Sequence, residues 1–411
     1  MSQILNYIVG PCFLFQLYFK IEKKIRKSRS SSGSGKESKN MRSKVYFVNL
    51  RAKNERENRI SKISRLFELA GLGNVISEGD LTAIKLHFGE RGNDAFLNPV
   101  WVRQVVDKVL ARGGKPFLTD TNTLYTGSRS NAVDHLITAI EHGFDYAVVG
   151  APILIADGLK SKNSVEVEIN KKHFKSVRIA GDIFFADSLL VLSHFKGHVE
   201  AGFGGAIKNL AMGCAPASGK QRQHSAMKPQ VKQEKCTACR KCAEVCPTKA
   251  IEFSTGKAFI DHNICIGCGE CISVCPVRAI SPNWESDIRS FLERMAEHAY
   301  GAILNKRGKV GFMNFLINVV PDCDCTPWSD TPIVPDIGIL ASMDPVAIDA
   351  ASLDLVNQMP GSSSSLLIRN FAPGEDKFTG IRDREKIEHR HQLVYGEEIG
   401  LGSMDYELVT V

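Results

Sequence analysis

The sequence predicts an α/β protein in which a largely parallel sheet with flanking helices is interrupted by an inserted ferredoxin-like α+β domain. Three observations support this fold class. Strand and helix patterns alternate from Ser43 onward, which is typical of βαβ units. One cysteine pattern then occurs twice between Cys236 and Cys275, and the alternation resumes after it. Both flanks are therefore expected to belong to one sheet.

The segment before the cysteines supplies most of the predicted sheet. Helices are predicted at 59–69, at 132–141 and at 99–111, where Pro99 takes a favourable first-turn position. Runs rich in β-branched and aromatic residues predict strands at 44–50, 81–88, 115–122, 146–156 and 188–195. Two further runs, 165–169 and 174–179, predict a hairpin on the edge of the sheet.

The segment after the cysteines completes the α/β pattern. Strands are predicted at 310–320, 337–342 and 406–411, and helices at 286–304, at about 384–394 and at 345–358, with Asp344 as N-cap. The predicted organisation is an N-terminal extension over 1–40, the first part of the α/β domain over 41–227, a ferredoxin-like domain over 228–283 and the second part of the α/β domain over 284–411.

The repeated cysteine pattern predicts two [4Fe–4S] clusters. Both runs read C-x2-C-x2-C-x3-C-P, the first from Cys236 and the second from Cys265. In this bacterial ferredoxin pattern the fourth cysteine of each run binds the cluster of the other run. The predicted ligands are Cys236, Cys239, Cys242 and Cys275 for one cluster, and Cys265, Cys268, Cys271 and Cys246 for the other.

Other uses of eight cysteines fit the pattern less well. A disulfide framework suits small secreted chains, and a four-cysteine zinc site uses pairs of cysteines rather than two identical runs. Pro247 and Pro276 end the short helix that would continue from each third cysteine. Gly267 and Gly269 let backbone N–H groups approach the cluster sulfides.

The net charge and the remaining cysteines limit the classes of protein to which the chain can belong. The 411-residue chain has a net charge of +7, but residues 1–40 carry eight Lys and Arg against two Glu. The remainder is close to neutral, so nucleic acid is not an expected partner. Four cysteines lie outside the two runs, and free thiols beside oxygen-sensitive clusters predict a reducing, cytoplasmic location. These are Cys12, Cys214, Cys323 and Cys325.

The N-terminal extension has two interpretations. Residues 4–19 are apolar but shorter than the roughly 20 residues of a membrane span, and they lack the basic start and cleavage site of a signal peptide. A linker rich in Ser, Gly and Lys follows over 28–40. The segment is either an anchor that adds membrane contact to a cytoplasmic protein, or a product of a wrongly assigned start, with translation beginning at Met41.

Reactive residues follow several predicted strands. Open α/β sheets bind ligands outside the carboxyl ends of their strands, and His and Lys are less expected than Ser or Asn in plain loops. We therefore predict a shared cleft where lysines neutralise a small anionic ligand and histidines transfer protons. The candidate catalytic residues are Lys85, His87, Asp120, His194, Lys196, His198 and Lys208.

Lys208 belongs to a glycine-rich stretch, residues 202–213. Glycines that open a helix can expose N–H groups to an anion, but the spacing departs from nucleotide-binding fingerprints, and a close-packed helix entry explains it equally well. Cys323 and Cys325 stand one residue apart in PDCDC. With Cys214 or a strand-end histidine they could hold a third metal; a redox pair and two inert thiols are the alternatives.

Several long stretches resemble the iron–sulfur members of the domain-of-unknown-function family 362. They are KLHFGERGN, FLTDTNTLYTGSRSNAVDHL, SHFKGHVEAGFGGAIKNLAMGCA, PDCDCTPWSDTP and PDIGILASMDPVAIDAASLDLV, within about residues 41–400. In that family a ferredoxin module is set within an α/β domain, so the resemblance implies cluster binding. It implies no particular reaction.

Two functions follow as hypotheses. The first is a ferredoxin-type oxidoreductase that transfers electrons between the clusters and a small anionic substrate or cofactor in the α/β domain. The second is a non-catalytic electron carrier or metal- or cluster-handling protein, in which Cys214, Cys323 and Cys325 form a transfer site. Both require a protein that donates or accepts electrons as partner.

Overall fold

The computed structural model describes residues 42–125, 127–224, 228–265, 267, 270–277, 279–282 and 288–411. The predicted N-terminal extension, including Cys12, therefore lies outside the described residues. Within these ranges, the chain forms no helix with the length and apolar character that crossing a membrane requires.

The main sheet has eight strands in the order β16-β1-β15-β14-β7-β2-β3-β4. Strand β15 is antiparallel to both of its neighbours, and the other five pairs are parallel. The predicted α/β class with a largely parallel sheet is confirmed. The strands are β1 Ser43–Asn49, β2 Leu81–Lys85, β3 Lys115–Asp120, β4 Ile153–Ile155, β7 Ser188–His194, β14 Val310–Leu316, β15 Gly338–Ser342 and β16 Tyr406–Thr410.

Helices cover both faces of this sheet. They are Arg59–Leu69, Pro99–Ala111, Ala132–Glu141, Tyr146–Val149, Gly181–Phe185, Ala206–Ala211, Ala217–Gln223, Ile288–Ile303, Pro345–Asn357 and His391–Glu398. Polar side chains cap two of the long ones: Asn98 and Asp344 each accept a backbone N–H at the beginning of their helices.

Strand β7 shows how the two layers of core form. Leu189 and Val191 belong to one apolar cluster and Leu190 and Leu192 to the other, so β7 is buried on both faces. A strand within a parallel sheet that helices cover on both sides is expected to be apolar along its whole length.

Two predicted elements differ in type or position in the structure. The strand predicted at 146–156 is a short helix, Tyr146–Val149, followed by β4, because the Asp145 carboxylate caps a helical turn there. The helix predicted near 384–394 is His391–Glu398. Arg384 instead reaches the carbonyl of Pro321 and the Asp322 carboxylate, which holds its segment in turns.

The predicted hairpin exists but is not on the sheet edge. Strands β5 Ser164–Glu168 and β6 Ser176–Ala180 pair antiparallel as a separate two-stranded sheet. Val177 is buried against Gly301 of the helix Ile288–Ile303. Packing under that helix therefore buries the hairpin's apolar face. A second small hairpin, β8 Lys196–His198 with β9 Gly202–Gly204, follows β7 directly.

The cysteine runs lie in a segment with an apolar cluster of its own. Ile251, Ile260 and Ile280 pack there with Cys242 and Cys271. Two small sheets frame it, together with the short helices Lys241–Glu244 and Glu270–Val274. Their strands are β10 Pro229–Val231 with β13 Ile280–Pro282, and β11 Ile251–Glu252 with β12 Phe259–Ile260. The domain boundaries themselves stay a prediction.

Candidate metal centres and the strand-end site

One cavity brings together cysteines from both runs. Its lining includes Cys236, Cys239 and Cys242 of the first run and Cys275, the last cysteine of the second, around a cavity of about 20 Å³. These four are the ligands predicted for the first cluster, including the crossover. A thiolate set that converges on one cavity fits a [4Fe–4S] cluster.

Backbone N–H groups point at the cysteine sulfurs. Ala250 donates to Cys246 Sγ at 3.2 Å, and Ala279 donates to Cys275 Sγ at the same distance. The N–H of Gly267 lies 3.4 Å from Cys265 Sγ. Such bonds stabilise thiolate charge and tune a bound cluster. The two 3.2 Å bonds occupy equivalent places in the two repeats.

The second predicted ligand set is only partly described. Cys246, Cys265 and Cys271 belong to the same apolar cluster as Cys236, Cys242 and Cys275, and none of them forms a disulfide. Cys268 and Gly269 lie outside the described residues. The described part of the segment therefore supplies seven of the eight predicted cysteines.

Buried ion pairs occupy the carboxyl ends of β2 and β3. Lys85 Nζ lies 2.9 Å from Asp120 Oδ1 and donates to Asn209 Oδ1 at 2.7 Å. Burial alone would raise the pKa of Asp120, but Lys85, His135 and Arg129 outweigh it and lower that pKa. Asp120 is therefore a carboxylate that holds cations in place.

Arg129 and Glu90 belong to the same network, although sequence reasoning named neither as catalytic. Arg129 contacts Glu90 Oε2 at 3.2 Å and Asp120 Oδ2 at 3.5 Å, and it donates to Tyr125 Oη at 2.6 Å. Arg129 is 1% exposed. The one signal for Arg129 in the sequence was its position in FLTDTNTLYTGSRSNAVDHL, a stretch that resembles the family.

A second buried pair follows β7. Asp324 Oδ1 lies 2.8 Å from His194 Nδ1, and Asp324 Oδ2 lies 3.0 Å from Lys196 Nζ. Burial opposes the charge of Asp324, yet His194 and Lys196 lower its pKa overall. Two predicted residues are thus held by a carboxylate that sequence reasoning had treated only as the spacer between two cysteines.

Lys208 reaches the cysteine pair from the helix Ala206–Ala211. Its Nζ lies 3.8 Å from Cys323 Sγ. The N–H groups of Ala206 and Ile207 that begin this helix bond to the Asp349 carboxylate at 2.7 and 2.9 Å. The glycine-rich stretch is therefore a close-packed helix entry, and an internal carboxylate occupies the N–H groups considered for an anion.

His198, Cys323 and Cys325 form a cluster of candidate ligands. One ligand atom from each lies within 4.8 Å of the others. A hydrogen bond from Cys325 lowers the pKa of Cys323, and Lys208 and Lys196 reinforce the effect. Cys214 is not in this group: burial raises its pKa to about 11, and its sulfur faces the carbonyl of Asn209. Of the two partners predicted for Cys323 and Cys325, the strand-end histidine lies beside them and Cys214 does not.

A glycine lets His198 lie close to Cys323 and Cys325. Gly197 N donates to the carbonyl of Val320 at 2.9 Å, which ties β8 to the loop that carries the cysteines. A Cβ at position 197 would lie 2.0 Å from Pro321 O. Only glycine permits so close an approach of the two backbones.

His87 lies half-buried at the same edge of the sheet. Burial lowers its pKa well below the usual range, and the cations Arg129, Lys196, Lys85 and Lys208 lower it further. The strand-end site therefore combines a neutral histidine with cations. Lys85, Arg129 and Lys196 are paired with carboxylates, whereas Lys208 contacts the sulfur of Cys323.

The cysteine-run segment contacts the α/β body. The helix Glu270–Val274, which carries Cys271, packs against the helix Ala217–Gln223. Lys220 of the latter donates to the carbonyl of Asn122 at 2.7 Å, just after β3. The second cysteine run is thus linked through one helix to the strand-end site.

The fold and sites define an α/β protein with cysteine-based candidate metal centres in two places. The chain belongs to the family described as Domain of unknown function (DUF362), whose model matches residues 82–354. This confirms the family resemblance; the inserted cluster module stays a prediction.

Other comparisons add less. No curated protein matches the sequence. A similar solved structure is that of the lactate racemase apoprotein from Thermoanaerobacterium thermosaccharolyticum, with 12% sequence identity and a TM-score of 0.35. The match covers 70% of this chain and 54% of that chain, so the chain spans about half the length of that protein.

Proposed function

We propose that this protein is a cytoplasmic iron–sulfur oxidoreductase that binds two [4Fe–4S] clusters and exchanges electrons with a small anionic substrate or cofactor at the strand-end site. One observation carries the proposal. Cys275 lines the same cavity as Cys236, Cys239 and Cys242, as the crossover of two ferredoxin runs requires. A structural zinc site in a single run would not need the distant fourth cysteine.

The chain's own residues supply distinct parts of this function. The cysteine thiolates hold the clusters, and the N–H groups of Ala250 and Ala279 stabilise thiolate charge. A bound [4Fe–4S] cluster supplies one electron at a time. At the strand ends, Lys208 attracts an anion, and His87 exchanges a proton with it.

The contact between the helices Glu270–Val274 and Ala217–Gln223 supports electron transfer between the two parts. The first helix carries Cys271, and the second leads at its end to His224, which stacks on Phe291 at 4.7 Å between ring centroids. A packed connection of this kind keeps the clusters close to the α/β body.

Iron and sulfide analysis of anaerobically purified protein tests the proposal. We expect about eight iron and eight sulfide per chain, and a paramagnetic signal after reduction with dithionite. Cys242→Ser should lose about half of both, and Cys214→Ser, a matched change of a buried thiol outside the two runs, should lose neither. Stoichiometric zinc in place of iron would contradict the proposal.

A second function, handling of metal ions or clusters, is favoured by one specific observation. His198, Cys323 and Cys325 place their ligand atoms within 4.8 Å of one another. A reproducible metal content beyond the clusters that disappears in a Cys323→Ser/Cys325→Ser variant would favour this function.

A further inference from the structure

Cys323 is a buried thiol and Cys325 a half-buried one, and the proposed function uses neither. Their sulfurs lie within 4.8 Å of each other, and Lys208 Nζ lies 3.8 Å from Cys323 Sγ. Cys323 is 5% exposed. Two neighbouring thiols beside a cation, one of them partly exposed, are typical of reactive rather than inert cysteines.

The protonation of His198 argues against a metal ion in this cluster. Its Nδ1 accepts backbone N–H groups from Glu200 at 3.1 Å and Ala201 at 3.0 Å. A neutral imidazole has one acceptor nitrogen, so its proton is on Nε2. A metal ion at Nε2 would meet an N–H bond instead of a lone pair. The same N–H group is a suitable donor to a thiolate.

The positive charge around Cys323 and Cys325 also argues against a metal ion. Lys208 Nζ lies 3.8 Å from Cys323 Sγ, and Lys196 lies in the same strand, β8, as His198. Fixed positive charge opposes the entry of a divalent cation and stabilises a thiolate.

We propose that Cys323 and Cys325 are a redox-active dithiol that exchanges two electrons with the two predicted clusters. The inference rests on the proposed function, because the clusters are the electron source. In the reductive direction the S–S bond breaks, one electron arrives from each of the two clusters, and two protons from solvent complete two S–H bonds. An external low-potential electron-transfer protein supplies the electrons in turn. Two one-electron centres match the two electrons that one disulfide takes.

The spacing of the pair suits this reaction. The two cysteines lie in the loop after β14 and not on a strand. On a strand, side chains two residues apart point to the same face, but their sulfurs are too far apart to form a disulfide. Gly197 lets β8 approach this loop, so His198 and the dithiol are held together. The dithiol thus lies at the strand-end site, where an anionic substrate would meet it.

Differential alkylation across a potential series tests the proposal on the anaerobic holoprotein. The protein is poised with mediator dyes, quenched in acid, unfolded, treated with iodoacetamide and digested with trypsin. The peptide spanning 310–369 contains Cys323 and Cys325 and no other cysteine. We expect two alkyl groups on this peptide at low potential and none at high potential. The ratio of the two forms should change tenfold per about 30 mV, as a two-electron couple requires.

Variants separate the outcomes. Cys325→Ser should leave one alkyl group on the peptide at every potential and keep the full iron content, and Cys214→Ser should behave as wild type. Two alkyl groups at every potential in a protein with full iron content would overturn the dithiol proposal alone. A transition metal that is lost with Cys323→Ser would overturn it as well. Absence of iron and sulfide would instead overturn the proposed function.

Discussion

Ala238 has a backbone conformation that alanine rarely adopts. Its φ is 56°, and the equivalent position in the second cysteine run is Gly267, with φ 68°. Arg240 and Lys249 also have positive φ, at 64° and 55°. Left-handed backbone costs about 1–2 kcal/mol at a residue other than glycine. The loop that carries the first cysteines therefore stores strain, which bonds to a cluster would offset.

Ala238→Gly should stabilise this loop. It removes the steric cost at Cβ but adds backbone entropy to the unfolded chain, for a net gain of about 0.5–1 kcal/mol. We expect cluster absorbance in urea to decay about 2–5 times more slowly than in wild type. Ala243→Gly, in the adjacent short helix, is the matched control and should speed the decay. Faster decay in Ala238→Gly would show that this position is not strained.

The short helix Ala206–Ala211 depends on a carboxylate from another helix. Asp349 of Pro345–Asn357 bonds to its first N–H groups and also accepts from Asn314 Nδ2 at 2.7 Å. Burial raises the pKa of Asp349 to about 6, despite the hydrogen bonds that oppose the shift. The carboxylate that positions Lys208 is therefore itself sensitive to pH.

This pKa predicts the sign of a pH effect on stability. Between the ordinary value near 4 and about 6, the folded chain holds a proton on Asp349 that the unfolded chain has lost. The stability from this group should therefore fall by about 1 kcal/mol from pH 5 to pH 7. Asp349→Asn should remove that part of the slope, measured from urea midpoints at pH 5, 6 and 7. An identical slope in the variant would contradict the assignment.

The approach of β8 to the cysteine loop predicts a clash at Gly197. Gly197→Ala places Cβ against the Pro321 carbonyl, which is backbone and cannot rotate away, so we expect a loss of about 1–3 kcal/mol. The displaced loop should also expose Cys323 and Cys325 to faster alkylation in the native protein.

Gly204→Ala in the same small hairpin is the control. Its Cβ would meet Lys208 Cδ at 3.1 Å, and a flexible side chain can move aside. Equal alkylation rates in the two variants would mean that the close approach at Gly197 does not position the cysteines.

At the scale of the whole molecule, sequence periodicity predicted the sheet, its largely parallel character and three early helices with their bounds. The helices are Arg59–Leu69, Pro99–Ala111 and Ala132–Glu141. These elements are specified locally, by caps and by apolar spacing. The β5–β6 hairpin and the helix His391–Glu398 were misplaced because their positions depend on tertiary contacts with the helix Ile288–Ile303 and with Pro321 and Asp322.

The candidate site was likewise predictable only in part from the sequence. Lys85, Lys196 and His198 could be recognised as reactive residues after predicted strands. The carboxylates that hold the site could not be paired with them, because Asp324 lies 130 positions from its partner His194 and Asp349 lies 143 from Ala206. The crossover of Cys275 is an exception, since a repeat in the sequence specifies a long-range contact.

The most direct test of the whole account counts electrons. Anaerobic holoprotein is oxidised with thionine, desalted and titrated with dithionite, for wild type and for Cys323→Ser. We predict about four electrons per chain for wild type, one for each cluster and two for the disulfide, and about two for the variant. Equal uptake of about two electrons by both proteins would contradict the link between the clusters and the strand-end site. Uptake below one electron in wild type would contradict the clusters themselves.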